Sequence, residues 1–268
     1  MNIKRFLSGL ILFPIFALII IFGNKYLVDI FVSIVAIMSL HEFYKAFKEK
    51  ANPIQWPGYI TAGAICFIHL IPKEYVLPGV TIVILINILM LFIQSVFSNM
   101  KNNINDIAIS LFGVCYIVFF LIFAPLIRDS IVNGKILIWY VFFVAWGTDT
   151  FAYLIGKNFG KHNFTQISPK KTIEGCIGGT LGAIIICIIY TYISNTIWNT
   201  QISYIFILGM SLFLSLISQI GDLAASTVKR YCQIKDYSNL IPGHGGILDR
   251  IDSVIFILPF AYFLLSMI

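Results

Sequence analysis

Apolar runs fill most of this chain, and short polar loops separate them. Nine stretches can be drawn: Phe6–Phe22, Leu27–Leu40, Gly58–Ile71, Pro78–Phe97, Ile107–Ile127, Ile136–Ile155, Ile173–Ile193, Ile202–Ile220 and Ile251–Ile268. A helix needs about 20 apolar residues to cross a bilayer. Most stretches approach that length. The second and third are short, and read either as re-entrant or as extended by flanking residues. The pattern predicts an all-α fold, a polytopic integral membrane helical bundle of about nine transmembrane helices. No internal repeat, soluble domain or low-complexity linker interrupts it. Residues 1–135 hold transmembrane helices with no readable site, and residues 136–268 hold those that carry polar chemistry.

Composition agrees with the pattern. The chain has 268 residues, 59% hydrophobic and 11% charged, whereas ordinary soluble domains carry about 25% charged residues. A water-soluble protein this apolar could not cover its own surface. The net charge of +6 sits in short loops, where cations fix topology and hold anionic headgroups of membrane lipids. No nucleic-acid partner is expected. With the N-terminus cytoplasmic, alternate loops on that side hold 14 of the 18 Lys and Arg residues. The opposite loops hold Lys25, Lys73, Arg128 and Lys135. Cations collect on the cytoplasmic side, so nine spans place the C-terminus outside. The N-terminal run lacks a small-x-small cleavage site and is read as a retained first helix. Five cysteines show no CxxC spacing and read as packing residues.

Polar groups concentrate after residue 140 and at one membrane face. Asp149 lies near the inner end of the sixth span, Ser168-Pro-Lys-Lys-Thr-Ile-Glu-Gly175 opens the seventh, Asp222 closes the eighth, and Asp249-Arg-Ile-Asp252 opens the ninth. If the eighth helix continues past the membrane, Asp222, Ser226, Lys229 and Arg230 line one face. That arrangement suits a metal–phosphate pair, the carboxylate holding Mg²⁺ and the cations taking phosphate oxygens. The plainer reading is a helix end that snorkels its cations to the interface. Ser168-Pro169-Lys170-Lys171 reads as a helix N-cap and first turn, whose lysines oppose the helix dipole unless an anion binds.

The segment Lys235–Gly246 ends in Pro242-Gly243-His244-Gly245-Gly246, a loop whose backbone N–H groups can point at an anion. It lacks the GxxxxGK[ST] spacing of a P-loop. Asp249 and Asp252 face the same way at the start of the last helix, where they serve either the helix dipole or a divalent metal. Asp149, an acid inside an apolar span, is a functional candidate or a hydrogen-bonded structural group. No Ser-His-Asp arrangement, nucleophilic cysteine or HExxH is present. Transfer to a nucleophile already present in an anionic substrate needs none of them.

The run Ser226-Thr-Val-Lys229-Arg230, four residues, Lys235-Asp236, then Ser238, Ile241-Pro242, His244-Gly245-Gly246-Ile247 and Asp249-Arg250-Ile251-Asp252 resembles the signature of CDP-diacylglycerol synthases (phosphatidate cytidylyltransferases). It covers 27 residues with no departure at a signature position. The segments at Asp149 and at Ser168–Gly175 are also similar to that family, while the first half resembles it in hydropathy and length. The resemblance implies a nucleotidyltransferase of phospholipid biosynthesis that joins CTP to phosphatidic acid, giving CDP-diacylglycerol and pyrophosphate with Mg²⁺. It implies that Asp222 and Asp249 hold the metal, at a site where family members also bind K⁺. Asp149 and Asp252 are then supporting acids. Lys170, Lys171, Lys229, Arg230, Lys235 and Arg250 share the CTP and lipid phosphates. Ser168, Ser226, Asp236, His244, Gly245 and Gly246 complete the substrate-binding set. A bacterial-type inner (plasma) membrane suits this chemistry, and a homodimer is compatible with it.

Three rivals make different demands. A transporter for a phosphorylated or anionic solute would place polar groups near the midplane or in inverted repeats. A CDP-alcohol phosphotransferase would carry a DGxxAR segment, which is absent. A polyprenol or phytol kinase would share the architecture without the full signature.

Overall fold

The structure is a computed structural model that describes residues 3–98, 101–241, 243 and 245–268. Its elements are helical, and among the described residues extended structure is confined to isolated bridges, Asn163 with Thr172 and Ile241 with Gly245. Each of the nine apolar stretches becomes helix. They are α1 (Ile3–Phe22), α2 (Lys25–Ala46), α3 (Trp56–Gly63) continued by a 3₁₀ stretch (Ala64–Leu70), and α4 (Lys73–Phe97). The fifth stretch is α5 (Ile104–Gly113), a π-helical turn (Val114–Val118), α6 (Phe119–Leu121) and α7 (Phe123–Ser130). Then come α8 (Gly134–Phe159), α9 (Ile173–Trp198), α10 (Tyr204–Tyr231) and α11 (Leu248–Leu265).

Among the described residues, six segments are long and apolar enough to cross a membrane by length and composition. The second stretch, short in the sequence, is a 22-residue helix because α2 runs on through His41, Glu42 and Tyr44. The third remains short in residue count, but its 3₁₀ half rises faster, so that α3 and its continuation extend roughly 26 Å. The chain is an integral membrane protein of helical type.

By compactness the chain forms two units, Met1–Pro125 with Tyr231–Ile251, and Leu126–Arg230 with Asp252–Ile268. In the first, Tyr44 is the hub. Its ring lies against Gly58 and Gly113, where a Cβ would collide with it, and its hydroxyl donates to the Ser110 carbonyl at 2.9 Å. Asn103 and Asp106 form a capping box at the start of α5. Asp106 also accepts from the Asn52 amide at 2.7 Å, tying the α2–α3 connection to α5. Asp29, fully buried, meets His69 Nδ1 at 2.8 Å.

In the second unit, the glycine-bearing first half of α9 packs closely on α8. A Cβ at Gly179 would sit 2.6 Å from the Thr148 carbonyl oxygen, and one at Gly175 would sit 2.8 Å from that of Ala152. Cβ atoms at Gly178 and Gly182 would run into Ile155 and the Phe151 ring. Small residues let membrane helices approach this closely, and dispersion between the backbones then replaces the hydrophobic effect that lipid cannot supply.

Candidate active site

The close seam of α8 and α9 sets the second unit's polar chemistry. Thr148 of α8 hydrogen-bonds Ser215 of α10 at 2.8 Å, and Ser215 donates to Thr180 of α9 at 3.1 Å. Gln219 of α10 donates to Thr180 at 3.0 Å and to the Cys176 carbonyl at 3.3 Å. Hydroxyls and amides inside a bilayer are stable when they bond one another, so this chain of partners fixes the rotation of three helices. Asp149 follows Thr148, and Asp222 follows Gln219 within one turn. Both carboxylates therefore line the same pocket of about 240 Å³, together with Lys170, Lys171 and Tyr153.

Lys171 Nζ meets Asp222 Oδ2 at 2.5 Å, with 21% and 27% of the two side chains exposed. Asp149 Oδ2 accepts from Ser253 Oγ at 3.2 Å. Asp252 lies 3.8 Å from Lys229 Nζ and has Asp222 and Asp149 as like-charged neighbours. Three acids and two lysines thus share one electrostatic neighbourhood. α10 does continue through Lys229 and Arg230, giving the face expected for Asp222, Ser226, Lys229 and Arg230. Arg230 is exposed and Ser226 half-buried.

A second, apolar groove of about 570 Å³ runs between α9 and α10, lined by residues such as Ile177, Leu181, Leu212 and Leu216. It shares Cys176 and Gln219 with the polar pocket.

Ser168 is not the cap of α9. The N-cap is Thr172, whose hydroxyl accepts from the Gly175 amide at 3.1 Å. Ser168–Lys171 instead forms a turn closed by the Lys171 amide on the Ser168 carbonyl at 3.0 Å. Glu174, in the first turn of α9, accepts from the Lys161 and His162 amides and from the His162 ring, tying the start of α9 to the segment that follows α8. Lys170 and Lys171 therefore precede the helix and are not bound by its register.

In the first unit the glycine loop is folded around carboxylates. Gly243 and Gly245 take positive φ, +78° and +85°, a conformation that glycine adopts without penalty. The Gly245 amide donates to the Ile241 carbonyl at 3.2 Å, and the Gly246 amide to Asp249 Oδ2 at 3.0 Å. The Ile247 and Leu248 amides donate to Glu42 of α2, at 3.1 and 2.9 Å. Asp249 Oδ2 also accepts from the Tyr237 amide at 2.8 Å. The amides of Gly246, Ile247 and Leu248 thus point at carboxylates of the protein itself, and that of Gly245 at a carbonyl. Lys235, Asp236 and Arg250 are exposed, while His244 lies outside the described residues.

Glu42 has no counterpart in the sequence reading, which found nothing chemical before residue 140. Its signal was an acid on the buried side of a helix, flanked by Ser39, Leu40 and Phe43, all fully buried.

Comparison with known proteins decides the family. A model described as the cytidylyltransferase family matches residues 3–268. The chain belongs to that family. It is 32% identical over 270 residues to the phosphatidate cytidylyltransferase of Bacillus subtilis (strain 168), covering 98% of this chain and 97% of that protein. It is 36% identical over 266 residues to the phosphatidate cytidylyltransferase of Staphylococcus aureus (strain COL), covering 97% and 98%. The protein of the same name in Staphylococcus haemolyticus (strain JCSC1435) is 35% identical over 266 residues. The match runs through both halves, so the helices before residue 140 belong to the family as much as the signature does.

Proposed function

We propose that this chain transfers the cytidylyl group of CTP to phosphatidic acid, releasing pyrophosphate and leaving CDP-diacylglycerol in the bilayer. The observation that carries the reading is the pairing of a charged pocket with an apolar groove through Cys176 and Gln219. A lipid phosphate held at Lys170 and Lys171 has an acyl chain beside it, and the groove between α9 and α10 suits that chain. An oxygen of the phosphatidate phosphate attacks the α-phosphorus of CTP. One P–O bond forms, the bond to the bridging oxygen breaks, and pyrophosphate takes the electron pair. No protein nucleophile is required; lysines and arginine stabilise charge on the transferring group.

Mg²⁺ is normally held by one or two carboxylates together with substrate phosphates. Among the described residues no three acid, histidine or cysteine side chains converge as a dedicated cage, and that donor set fits an ion shared with a triphosphate. Asp222, which lines the pocket with Asp149 as a supporting acid, would hold it there, and Asp249 is the second candidate ligand that the family resemblance implies. When bound, Mg²⁺ would neutralise phosphate charge, and K⁺ is a candidate second cation. The loop distribution of cations supports a cytoplasmic N-terminus and site, and an external C-terminus.

Purified protein given CTP, phosphatidate and Mg²⁺ tests this directly. CDP-diacylglycerol and pyrophosphate should appear in equal amounts. Solute transport in vesicles without any nucleotidyl transfer would overturn the reading.

A further inference from the structure

Glu42 is 4% exposed and comes from a helix nearly two hundred residues before its partners. Its Oε1 accepts from Ser238 Oγ at 2.6 Å and from the Ile247 amide at 3.1 Å, and its Oε2 from the Leu248 amide at 2.9 Å. All three donors are neutral. A buried carboxylate is stable only where donors replace its lost water, and bonds to a charged acceptor are the stronger kind. The backbone at Gly246 approaches so closely that a Cβ there would collide with the Glu42 carboxyl group. Glu42 thus supplies, from a distant helix, the capping carboxylate for the amides that open α11. Asp249 takes the amides on the other side of the same turn.

We infer that Glu42 is a positioning residue for the nucleotide, acting through the loop from Ser238 to Leu248 and the first turn of α11. This rests on the cytidylyltransferase reading above. The amides of residues 245–248 are committed to protein acceptors, so those four offer no cradle to a phosphate. The loop serves by holding Lys235, Asp249 and Arg250 in fixed places, and Glu42 is the anchor of that frame. Neither Glu42 nor its partners are among the residues that line the groove between α9 and α10.

The test uses the full-length protein in lipid nanodiscs. Glu42→Gln keeps size and shape but turns an NH₂ group toward a backbone N–H. It should raise KM for CTP by on the order of tenfold or more, while KM for phosphatidate stays within about twofold. Amide hydrogen exchange across residues 246–248 should accelerate, and the protein should stay folded with a lowered thermal midpoint. Ser238→Ala removes one donor and should shift KM for CTP the same way by roughly two- to fivefold. A folded Glu42→Gln protein with unchanged KM for CTP, or with both KM values rising together, overturns the inference. If Glu42→Gln does not fold, an unchanged KM for CTP in Ser238→Ala does so. Absence of turnover in the unaltered protein would sink the cytidylyltransferase reading instead. The exchange rates of residues 246–248 would still decide whether Glu42 anchors the loop.

Discussion

Lys171 and Asp222 are joined at 2.5 Å, a link between the turn before α9 and the inner part of α10. Each member is also a candidate ligand, the lysine for phosphate and the carboxylate for a metal carried by phosphate. Substrate binding must therefore trade this pair for new ones. Lys171→Ala and Asp222→Asn should each lower kcat/KM by roughly 10²- to 10⁴-fold, the scale of losing a main electrostatic term in a transition state. Because they touch, the double variant should fall well short of the product of the two losses. Steady-state kinetics on the three variants checks this, and full additivity would mean the pair has no shared role.

Asp249→Asn and Asp252→Asn should separate. Asp249 shares one oxygen between two amides, a role that the carbonyl oxygen of Asn can keep, so Asp249→Asn removes chiefly the charge, and activity should fall by about 10²-fold or more. Asp252 sits among like charges with Lys229 opposite, so its neutral variant should keep far more activity. A Mg²⁺ titration distinguishes them: the half-saturating concentration should rise for Asp249→Asn and change little for Asp252→Asn.

Lys229→Met removes the cation that offsets Asp252, whereas Arg230→Met alters an exposed side chain. The first should destabilise the protein by about 1–3 kcal/mol, the scale of leaving a buried group without its partner. The second should be within about 0.5 kcal/mol of the parent. Thermal unfolding in detergent measures both.

Gly179→Ala and Gly209→Ala should have opposite signs. The new methyl at position 179 would press on a backbone carbonyl of α8, and overpacking of this kind costs about 1–3 kcal/mol. At Gly209, in α10, nothing lies within 4 Å of the new atom. Helix propensity there favours alanine by about 0.5–1 kcal/mol. Paired melting curves decide it.

A cysteine placed at Asn239, in a variant stripped of the five native cysteines, should react with an impermeant reagent only from the cytoplasmic side. Labelling from the external face alone would invert the topology.

The helices were legible because membrane burial writes itself into hydropathy, and each of the nine apolar stretches became helical. What hydropathy hid were interruptions made by packing. The π-helical turn at Val114–Val118 lies in unbroken apolar sequence, and the extension of α2 past Leu40 carries a charged residue, Glu42, that is buried in the fold. Among the candidate residues, Asp149, Lys171 and Asp222 line one pocket, and the loop count predicts that they share a membrane face. The cap of α9 was misplaced by four residues because serine before proline is a strong cap signal. The seam instead needs Thr172 beside Gly156 and Gly175, whose Cβ atoms would lie 3.0 Å from its hydroxyl. Glu42 was invisible because its partners lie 196 to 206 positions away, beyond any local pattern.

On the proposed role of the groove between α9 and α10, its walls also set where the enzyme would meet its lipid. Ile177, Leu181, Leu212 and Leu216 are exposed side chains along its walls, so it opens sideways toward hydrocarbon. Phosphatidate can enter by lateral diffusion and its product leave the same way, neither crossing water. The encounter is two-dimensional. Turnover should track the mole fraction of phosphatidate among membrane lipids, and diluting the vesicles in buffer at fixed lipid composition and saturating CTP should leave the rate per enzyme unchanged.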